Sequence, residues 1–135
     1  MTAMTLVTPR LLITDDDRDF RETVAGMLAD RGFETLQAAD GEEALSIVCR
    51  QEVHLLLLDM QMPRLSGLET IERLRGPNLQ IPLPWILISG ALDEQLIARA
   101  QAAAVYSVLP KPVRLPQLTG AVAGALAKAY GWKAA

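Results

Sequence analysis

The chain has 135 residues, of which 50% are hydrophobic and 21% charged, with a formal net charge of −3. This composition excludes a disordered chain and indicates one globular domain, while the acidic balance argues against a nucleic-acid binder, which would carry a basic patch. No apolar stretch approaches the roughly 18–20 residues that span a membrane. The first nine residues lack the pattern of a secretory signal, and the single cysteine favours a reducing compartment such as the cytoplasm.

Turn and cap signals divide the chain into alternating strands and helices. Short apolar runs predict strands over residues 10–14, 33–39, 53–58, 84–88 and 105–109. Amphipathic repeats and capping signals predict a first helix that ends at Gly32, then helices over 40–51, 66–75, 93–103 and from 115 onwards, with a turn-rich connector over 76–83. The four leucines at 55–58 show no polar alternation, which is typical of a central parallel strand.

Five strand–helix units in strict alternation predict an α/β fold, with a five-stranded parallel sheet doubly wound by helices on both faces. Ligands of such folds bind beyond the carboxyl ends of the strands, so the residues at those ends are candidate site residues. Asp15 and Asp16 follow the first predicted strand, Asp59 the third, Ser89 the fourth and Lys111 the fifth.

These strand-end residues suit the chemistry of phosphoryl transfer. Three neighbouring carboxylates repel one another, and a hard divalent cation such as Mg²⁺, which prefers oxygen ligands, would neutralise them. A lysine and a hydroxyl on the other side would hold phosphoryl oxygens, because positioning and charge neutralisation provide most of the catalysis in this reaction. An aspartate can itself be the nucleophile and form an acyl phosphate.

The segments LLITDDD, LLLLDMQMPRLSG, WILISG and VLPKPV resemble, in this order, the receiver domain of two-component response regulators. The resemblance covers residues 10–129 and leaves 1–9 as an N-terminal extension and 130–135 as a C-terminal tail. It implies a flavodoxin-like (βα)5 fold with strand order 2-1-3-4-5.

The resemblance also implies a role for each strand-end residue. Asp59 matches the phosphoacceptor, which takes its phosphoryl group from a histidine kinase or a histidine phosphotransfer protein. Asp15 and Asp16 match the acidic pair that holds Mg²⁺ (or Mn²⁺) together with Asp59, and the backbone carbonyl of Gln61 completes that metal site.

Further positions match the switch and the shape of the site. Ser89 matches the switch hydroxyl and Lys111 the lysine that pairs with phosphate, and the Lys111–Pro112 bond matches one that is usually cis. Pro63 and Gly67 match residues that shape the loop after the acceptor. Gln61 and Ala91 occupy positions that tune the lifetime of the phosphoryl group.

Two positions depart from the family pattern. Receivers often carry an aromatic residue three positions before the lysine, where this chain has Val108. Tyr106 lies two residues earlier and is expected to face the same side by strand parity. Ala104 replaces a glycine that usually precedes the fifth strand.

The implied function is a signalling module that catalyses only its own phosphorylation and dephosphorylation. Its output is expected to reach a downstream effector protein or a fused output domain outside this chain, without direct contact to nucleic acid or membrane. A homodimer through helix 4, strand 5 and helix 5 is a further expectation. The fifth helix carries little charge, so a partner or the chain's own termini, anchored by Trp132, would cover it; alternatively, its alanines are simply good helix formers.

Two other functions stay open on the residues alone. A pseudo-receiver would bind proteins without taking phosphate, and Val108 is compatible with that. A phosphatase of the haloacid dehalogenase type would use Asp59 as nucleophile but needs an acidic residue where Gln61 stands. Three further residues are interpreted as structural: Asp17 as a helix cap, His54 as a surface or structural residue and Cys49 as a small core residue.

Overall fold

A computed structural model describes residues 8–76 and 83–132. Outside these lie residues 77–82 of the predicted connector, residues 1–7 of the N-terminal extension and residues 133–135 of the tail.

All ten predicted elements are present, with bounds that mostly agree within two residues. The strands are β1 (Arg10–Thr14), β2 (Glu34–Ala38), β3 (Leu55–Asp59), β4 (Trp85–Ser89) and β5 (Ser107–Pro110). The helices are α1 (Arg18–Ala29), α2 (Gly41–Arg50), α3 (Gly67–Leu74), α4 (Glu94–Ala102) and α5 (Leu115–Tyr130).

The strands form one sheet in the order β2-β1-β3-β4-β5, and every neighbouring pair is parallel. The predicted strand order is therefore confirmed. The register pairs Thr14 with Leu58 and Asp59 with Ile88, so the carboxyl ends of β1, β3 and β4 lie at the same edge of the sheet. This edge is called the carboxyl edge below.

Helices cover both faces of the sheet and divide the buried side chains into two clusters. One cluster, the α1–α5 core, lies under α1 and α5, and the other, the α2–α3–α4 core, lies under the remaining helices. In β3, Leu55 and Leu57 belong to the first cluster, and Leu56 and Leu58 to the second. Because both faces of this strand are buried, its sequence has no polar alternation.

Side-chain caps mark where α1, α2, α3 and α4 begin. The Asp17 carboxylate accepts the backbone N–H of Phe20, as predicted for a cap of α1. Ser66 and Glu69 form a complete capping box at the start of α3. The carboxylates of Asp17 and Glu69 are attracted to the positive ends of the helix dipoles, which stabilises the starts of α1 and α3 at the carboxyl edge.

The opposite edge of the sheet holds an aromatic cluster around the start of β3. His54 Nδ1 accepts the backbone N–H of Arg10 at 2.9 Å, and the Tyr130 hydroxyl donates to the His54 carbonyl at 2.7 Å. The Trp132 ring stacks on Tyr130 with centroids 4.4 Å apart and meets His54 edge-on. These contacts support the structural interpretation of His54. They also show that Trp132 folds back onto its own chain at the end of α5.

The prediction for Cys49 was wrong, because this side chain is exposed. The buried residues of α2 are Gly41, Ala44 and Ile47, and Cys49 lies beyond the edge of that stripe. A helix of ten residues buries only the face that meets the sheet, and Cys49 points away from it.

A left-handed backbone conformation at Ala104 generates a stability prediction. Ala104 follows α4 with φ of 58°, a region that costs an alanine roughly 1–2 kcal/mol and a glycine almost nothing. Ala104→Gly is therefore expected to raise the free energy of unfolding by about 0.5–1 kcal/mol, after the added flexibility of the unfolded chain is subtracted. Urea denaturation measures this change.

Ala102→Gly is the matched control, because Ala102 is exposed and is the last residue of α4. Glycine has a lower helix propensity than alanine, so this substitution is expected to lower the free energy of unfolding by about 0.5–1 kcal/mol. A loss of stability in both variants would show that the turn does not strain Ala104.

Candidate functional site

The first two candidate carboxylates follow β1 directly. Asp15 is buried, with 1% of its surface exposed, whereas Asp16 is exposed. The Asp15 backbone N–H donates to Ala38 on β2, and its Oδ1 accepts the N–H of Asp17 at 2.9 Å. The loop backbone therefore holds the Asp15 side chain in one orientation, and Asp16 stays open to solvent.

Asp59 is the last residue of β3 and lies in the same cluster. Its surface is 4% exposed. One carboxylate oxygen from each of Asp15, Asp16 and Asp59 lies within 4.8 Å of the other two. The structure thus brings together the three predicted carboxylates, in a donor set of oxygen atoms that fits a hard cation such as Mg²⁺.

Lys111 pairs with two of these carboxylates. Its Nζ donates to Asp15 Oδ2 at 2.9 Å and lies 3.3 Å from Asp59 Oδ1. Burial of the ammonium opposes its charge, but the hydrogen bond to Asp15 and the attraction of Asp59 outweigh burial. The pKa of Lys111 is therefore raised above its usual value, and the side chain is a cation at neutral pH.

Asp59 has a strongly perturbed acidity. Burial, and next the negative charge of Asp15, raise the pKa of Asp59 to about 6 from 3.8, although Lys111 and the backbone of Gln61 pull it down. Burial and a like charge destabilise the ionised carboxylate, so the approach of a cation or an electrophile stabilises it. The electrostatics of the edge therefore favour reaction or metal binding at Asp59.

Ser89 ends β4, and its surface is 1% exposed. Its Oγ accepts the backbone N–H of Ala91 at 3.1 Å, and its carbonyl accepts the N–H of Lys111 at 3.0 Å. Because Oγ acts as an acceptor in this bond, the hydroxyl of Ser89 can still donate its proton to another group. The bond from the Lys111 backbone to the Ser89 carbonyl holds the lysine backbone at the end of β4. Ala91 itself is exposed in the loop before α4.

The loop after Asp59 carries three predicted positions. Gln61 and Pro63 are exposed, and the Pro63 carbonyl accepts the N–H of Leu65 at 2.9 Å in a tight turn. Gly67, the first residue of α3, is buried and donates its N–H to Met60. A Cβ added at Gly67 would lie 2.7 Å from the Asp59 carbonyl, so only glycine allows α3 to start this close to β3.

The remaining predicted positions lie on and after β5. The Lys111–Pro112 peptide bond is cis, as the resemblance implies. Val108 is half-buried and packs against the α2–α3–α4 core. Tyr106 precedes β5 and reaches α5 instead, where its hydroxyl occupies the space that a side chain at Gly124 would need. Tyr106 therefore contacts α5, whereas Val108 packs against the core under α2, α3 and α4.

Two residues at this edge had no signal in the sequence. Arg21 on α1 donates through Nη1 to the Asp15 carbonyl at 2.8 Å and so supports the acidic loop. The Phe20 ring lies under the Lys111 ammonium, with Nζ 4.4 Å from the ring centroid. Phe20 belongs to the apolar repeat of α1, but that repeat does not indicate that its ring meets Lys111.

The acidity of Asp59 generates a prediction for the variant Asp59→Asn. Between about pH 4 and 6 the native chain holds a proton on Asp59 that the unfolded chain has already lost, so wild-type stability falls as pH rises through this window. Asparagine does not titrate. The unfolding free energy of Asp59→Asn, relative to that of the wild type, is therefore expected to rise by about 2–3 kcal/mol between pH 4 and pH 8. Urea denaturation of metal-free protein in a chelator measures it, and a pH-independent difference would contradict the shift.

The close approach at Gly67 generates a second prediction. Gly67→Ala forces a Cβ against the Asp59 carbonyl and is expected to lower the unfolding free energy by about 1–3 kcal/mol. Gly26→Ala is the matched control, because Gly26 lies in α1 with open space around it. This substitution is expected to raise the unfolding free energy by about 0.5–1 kcal/mol. Equal effects in the two variants would mean that α3 can move away from β3 freely.

Comparison with known proteins agrees with this geometry. The family model described as response regulator receiver domain matches residues 11–123. The chain is 35% identical over 109 residues to a response regulator receiver protein of Anaeromyxobacter sp. strain Fw109-5, and 36% identical over 109 residues to the response regulator MprA of Mycobacterium tuberculosis strain H37Rv. Each match covers 81% of this chain, but only 45% and 46% of those proteins, so the chain spans less than half the length of these relatives.

Solved structures share the fold. A response regulator receiver protein from Pseudomonas putida superposes with a TM-score of 0.82 at 29% identity, over 87% of this chain and 98% of that one. The chemotaxis protein CheY4 of Vibrio cholerae superposes with a TM-score of 0.80 at 24% identity, over 86% of this chain and 97% of that one, and this likeness concerns the flavodoxin-like fold alone. Among the helices that the structure describes, none is long and apolar enough to cross a membrane. By its family model and its relatives, the chain belongs to the receiver domains of two-component response regulators.

Proposed function

We propose that Asp59 accepts a phosphoryl group from the phosphohistidine of a histidine kinase or a histidine phosphotransfer protein. The observation that carries this proposal is the buried Asp59 carboxylate, which lies 3.3 Å from the Lys111 ammonium and within 4.8 Å of carboxylate oxygens of Asp15 and Asp16. The family model supports it, because it assigns residues 11–123 to a response regulator receiver domain. In this role the chain is a signalling module and not an enzyme for outside substrates.

The transfer is a substitution at phosphorus. One Asp59 carboxylate oxygen forms the new O–P bond while the P–N bond to the donor histidine breaks, and the imidazole nitrogen keeps that bonding pair. Because the pKa of Asp59 is about 6, the carboxylate is mostly ionised, and so nucleophilic, at neutral pH. The Lys111 ammonium lies 3.3 Å from Asp59 Oδ1, where it would counter the negative charge of the phosphoryl oxygens.

The donor set at the carboxyl edge fits Mg²⁺, or Mn²⁺ in its place. Asp15, Asp16 and Asp59 would hold the ion, with the backbone carbonyl of Gln61 as a further ligand. Two of these carboxylates are buried, and Lys111 supplies one positive charge against three negative ones, so a divalent cation would balance the cluster. When bound, such an ion neutralises phosphoryl oxygens and orients the group for in-line attack.

Ser89 is the proposed switch residue. Its hydroxyl accepts the N–H of Ala91 and still has its own proton to donate to a phosphoryl oxygen on Asp59. A new bond to the phosphoryl group would move the loop between β4 and α4, whose N-cap is Asp93. Val108 packs in the same apolar core as Leu96 of α4, so the readout would be a repacking of aliphatic side chains, without the usual aromatic ring. Ala91 and Gln61, both exposed beside the site, would tune the phosphoryl lifetime.

The output is proposed to pass through the face formed by α4, β5 and α5. Two large apolar side chains next to these elements are each 37% exposed: Leu92 in the loop before α4, and Tyr106 just before β5. A downstream effector, a fused output domain outside this chain or a second copy of the chain would dock on this face. The proposed receiver unit is 10–129, close to the residues that the family model matches. The single free cysteine suits the cytoplasm.

Phosphorylation by a small donor tests the proposed function. The protein is incubated with acetyl phosphate and Mg²⁺, and its intact mass is measured. The wild type is expected to gain one phosphoryl group, and the gain should require the metal, because the carboxylates otherwise repel the incoming phosphate. Asp59→Asn should gain none, because it lacks the nucleophile.

Asp19→Asn is the matched control, because Asp19 is an exposed carboxylate on the first turn of α1, outside the cluster. It should take up phosphate like the wild type. A wild type that gains no mass would instead support a pseudo-receiver that only binds proteins. Rapid turnover of an added phosphomonoester without a trapped acyl phosphate would support the phosphatase alternative.

A further inference from the structure

The Phe20 ring forms a contact at the carboxyl edge that none of the proposed roles uses. Phe20 lies on the first turn of α1, is half-buried, and faces Lys111 with its ring 4.4 Å from Nζ. At this distance the negative face of the ring attracts the ammonium directly. The contact joins a helix near the start of the chain to the lysine after β5.

The ammonium of Lys111 has three N–H donors to place. Two directions are taken by Asp15 and Asp59, at 2.9 and 3.3 Å. Among the residues that the structure describes, no other oxygen or nitrogen accepts from Nζ. The Phe20 ring therefore provides the third favourable neighbour, on the α1 side of the ammonium.

The lysine has room to leave this position. A cavity of about 460 Å³ lies between α1 and the segment from Lys111 to Val113, with mostly apolar walls that include Phe20, Met27 and Pro112. The side chain of Lys111 is 28% exposed, and lysine has a flexible four-carbon stem. Without the ring, the α1 side of the ammonium would open to water, and the flexible stem would let Nζ move away from Asp59.

We infer that Phe20 is a positioning residue, which holds the Lys111 ammonium beside Asp59 during phosphoryl transfer. The inference rests on the proposed function. The ring confines a flexible cation before the phosphoryl group arrives, so less freedom is lost when the ammonium meets the phosphoryl oxygens. Because the attraction comes from the π-electrons, it depends on the electron density of the ring and not only on its size.

Fluorination of Phe20 separates these two properties. Phenylalanines with one, two and three ring fluorines are incorporated at position 20, and the rate of phosphoryl uptake from acetyl phosphate is measured at saturating Mg²⁺. Fluorine withdraws density from the ring face at nearly constant shape, so the rate is expected to fall stepwise, by about three- to ten-fold for the trifluoro ring. Phe20→Leu should be slowed at least as much, and Phe20→Tyr should restore most of the rate.

Phe33 provides the matched control. It is half-buried and packs against the same α1–α5 core, but within the described part of the chain the ring over the Lys111 ammonium is that of Phe20. The same fluorinated series at position 33 should leave the rate unchanged.

The outcomes separate the inference from the function on which it rests. A flat rate across the Phe20 series, or an equal loss in the Phe33 series, would overturn the positioning role and leave Asp59 as phosphoacceptor. A wild type that takes up no phosphoryl group would overturn both.

Discussion

The ion pairs of Lys111 with Asp15 and Asp59 are the interaction on which the site depends. They tie together the ends of β1 and β3 and the loop after β5, three segments that are distant in sequence. Buried carboxylates this close would otherwise repel one another strongly, because the protein interior screens charge weakly. One ammonium offsets part of that repulsion. Burial, and next the remaining repulsion from Asp15, raise the pKa of Asp59.

The parallel sheet makes this network possible. Neighbouring strands end at the same edge, and the backbone of Lys111 is itself bonded to Ser89 at the end of β4. Close packing around the strand ends adds a second constraint. Gly67 lets α3 begin against the Asp59 carbonyl, and Gly41 lets α2 begin against Leu65, where a Cβ would come within 2.8 Å of the Leu65 Cβ. The segments that frame the acceptor are therefore held by close contacts at two glycines, where a larger residue would not fit.

The order of the elements and the strand-end residues could be predicted because both depend on local signals. Apolar runs, capping residues and turn glycines mark each element, and a parallel sheet collects the residues that follow its strands. The exact strand ends differed, since β5 begins at Ser107 and not at 105, because hydrogen bonding to β4 decides them. Strand parity alone did not show that Tyr106 reaches α5.

Contacts across long sequence distances could not be predicted. Phe20 belongs to the apolar face of α1 by its spacing, but its position under Lys111 follows from how α1 and the loop after β5 pack on the sheet. Arg21 is a local case: it bonds the Asp15 carbonyl only six residues earlier in the chain, but no motif in the sequence indicates this contact. Periodicity identifies the buried face of a helix, and only the folded chain shows what that face meets. Cys49 was assigned to the core because it is apolar, but it lies outside the buried stripe of α2.

The most direct test of the account is to locate the acyl phosphate in the chain. Borohydride reduces an aspartyl phosphate to homoserine, and peptide mass spectrometry then identifies the reduced position. After treatment with acetyl phosphate and Mg²⁺, we expect homoserine at position 59 and none at Asp15 or Asp16. Asp59 is buried beside an ammonium, whereas Asp16 is exposed and both carboxylate oxygens of Asp15 already accept hydrogen bonds. Homoserine at either of the other two positions, or at none, would contradict it.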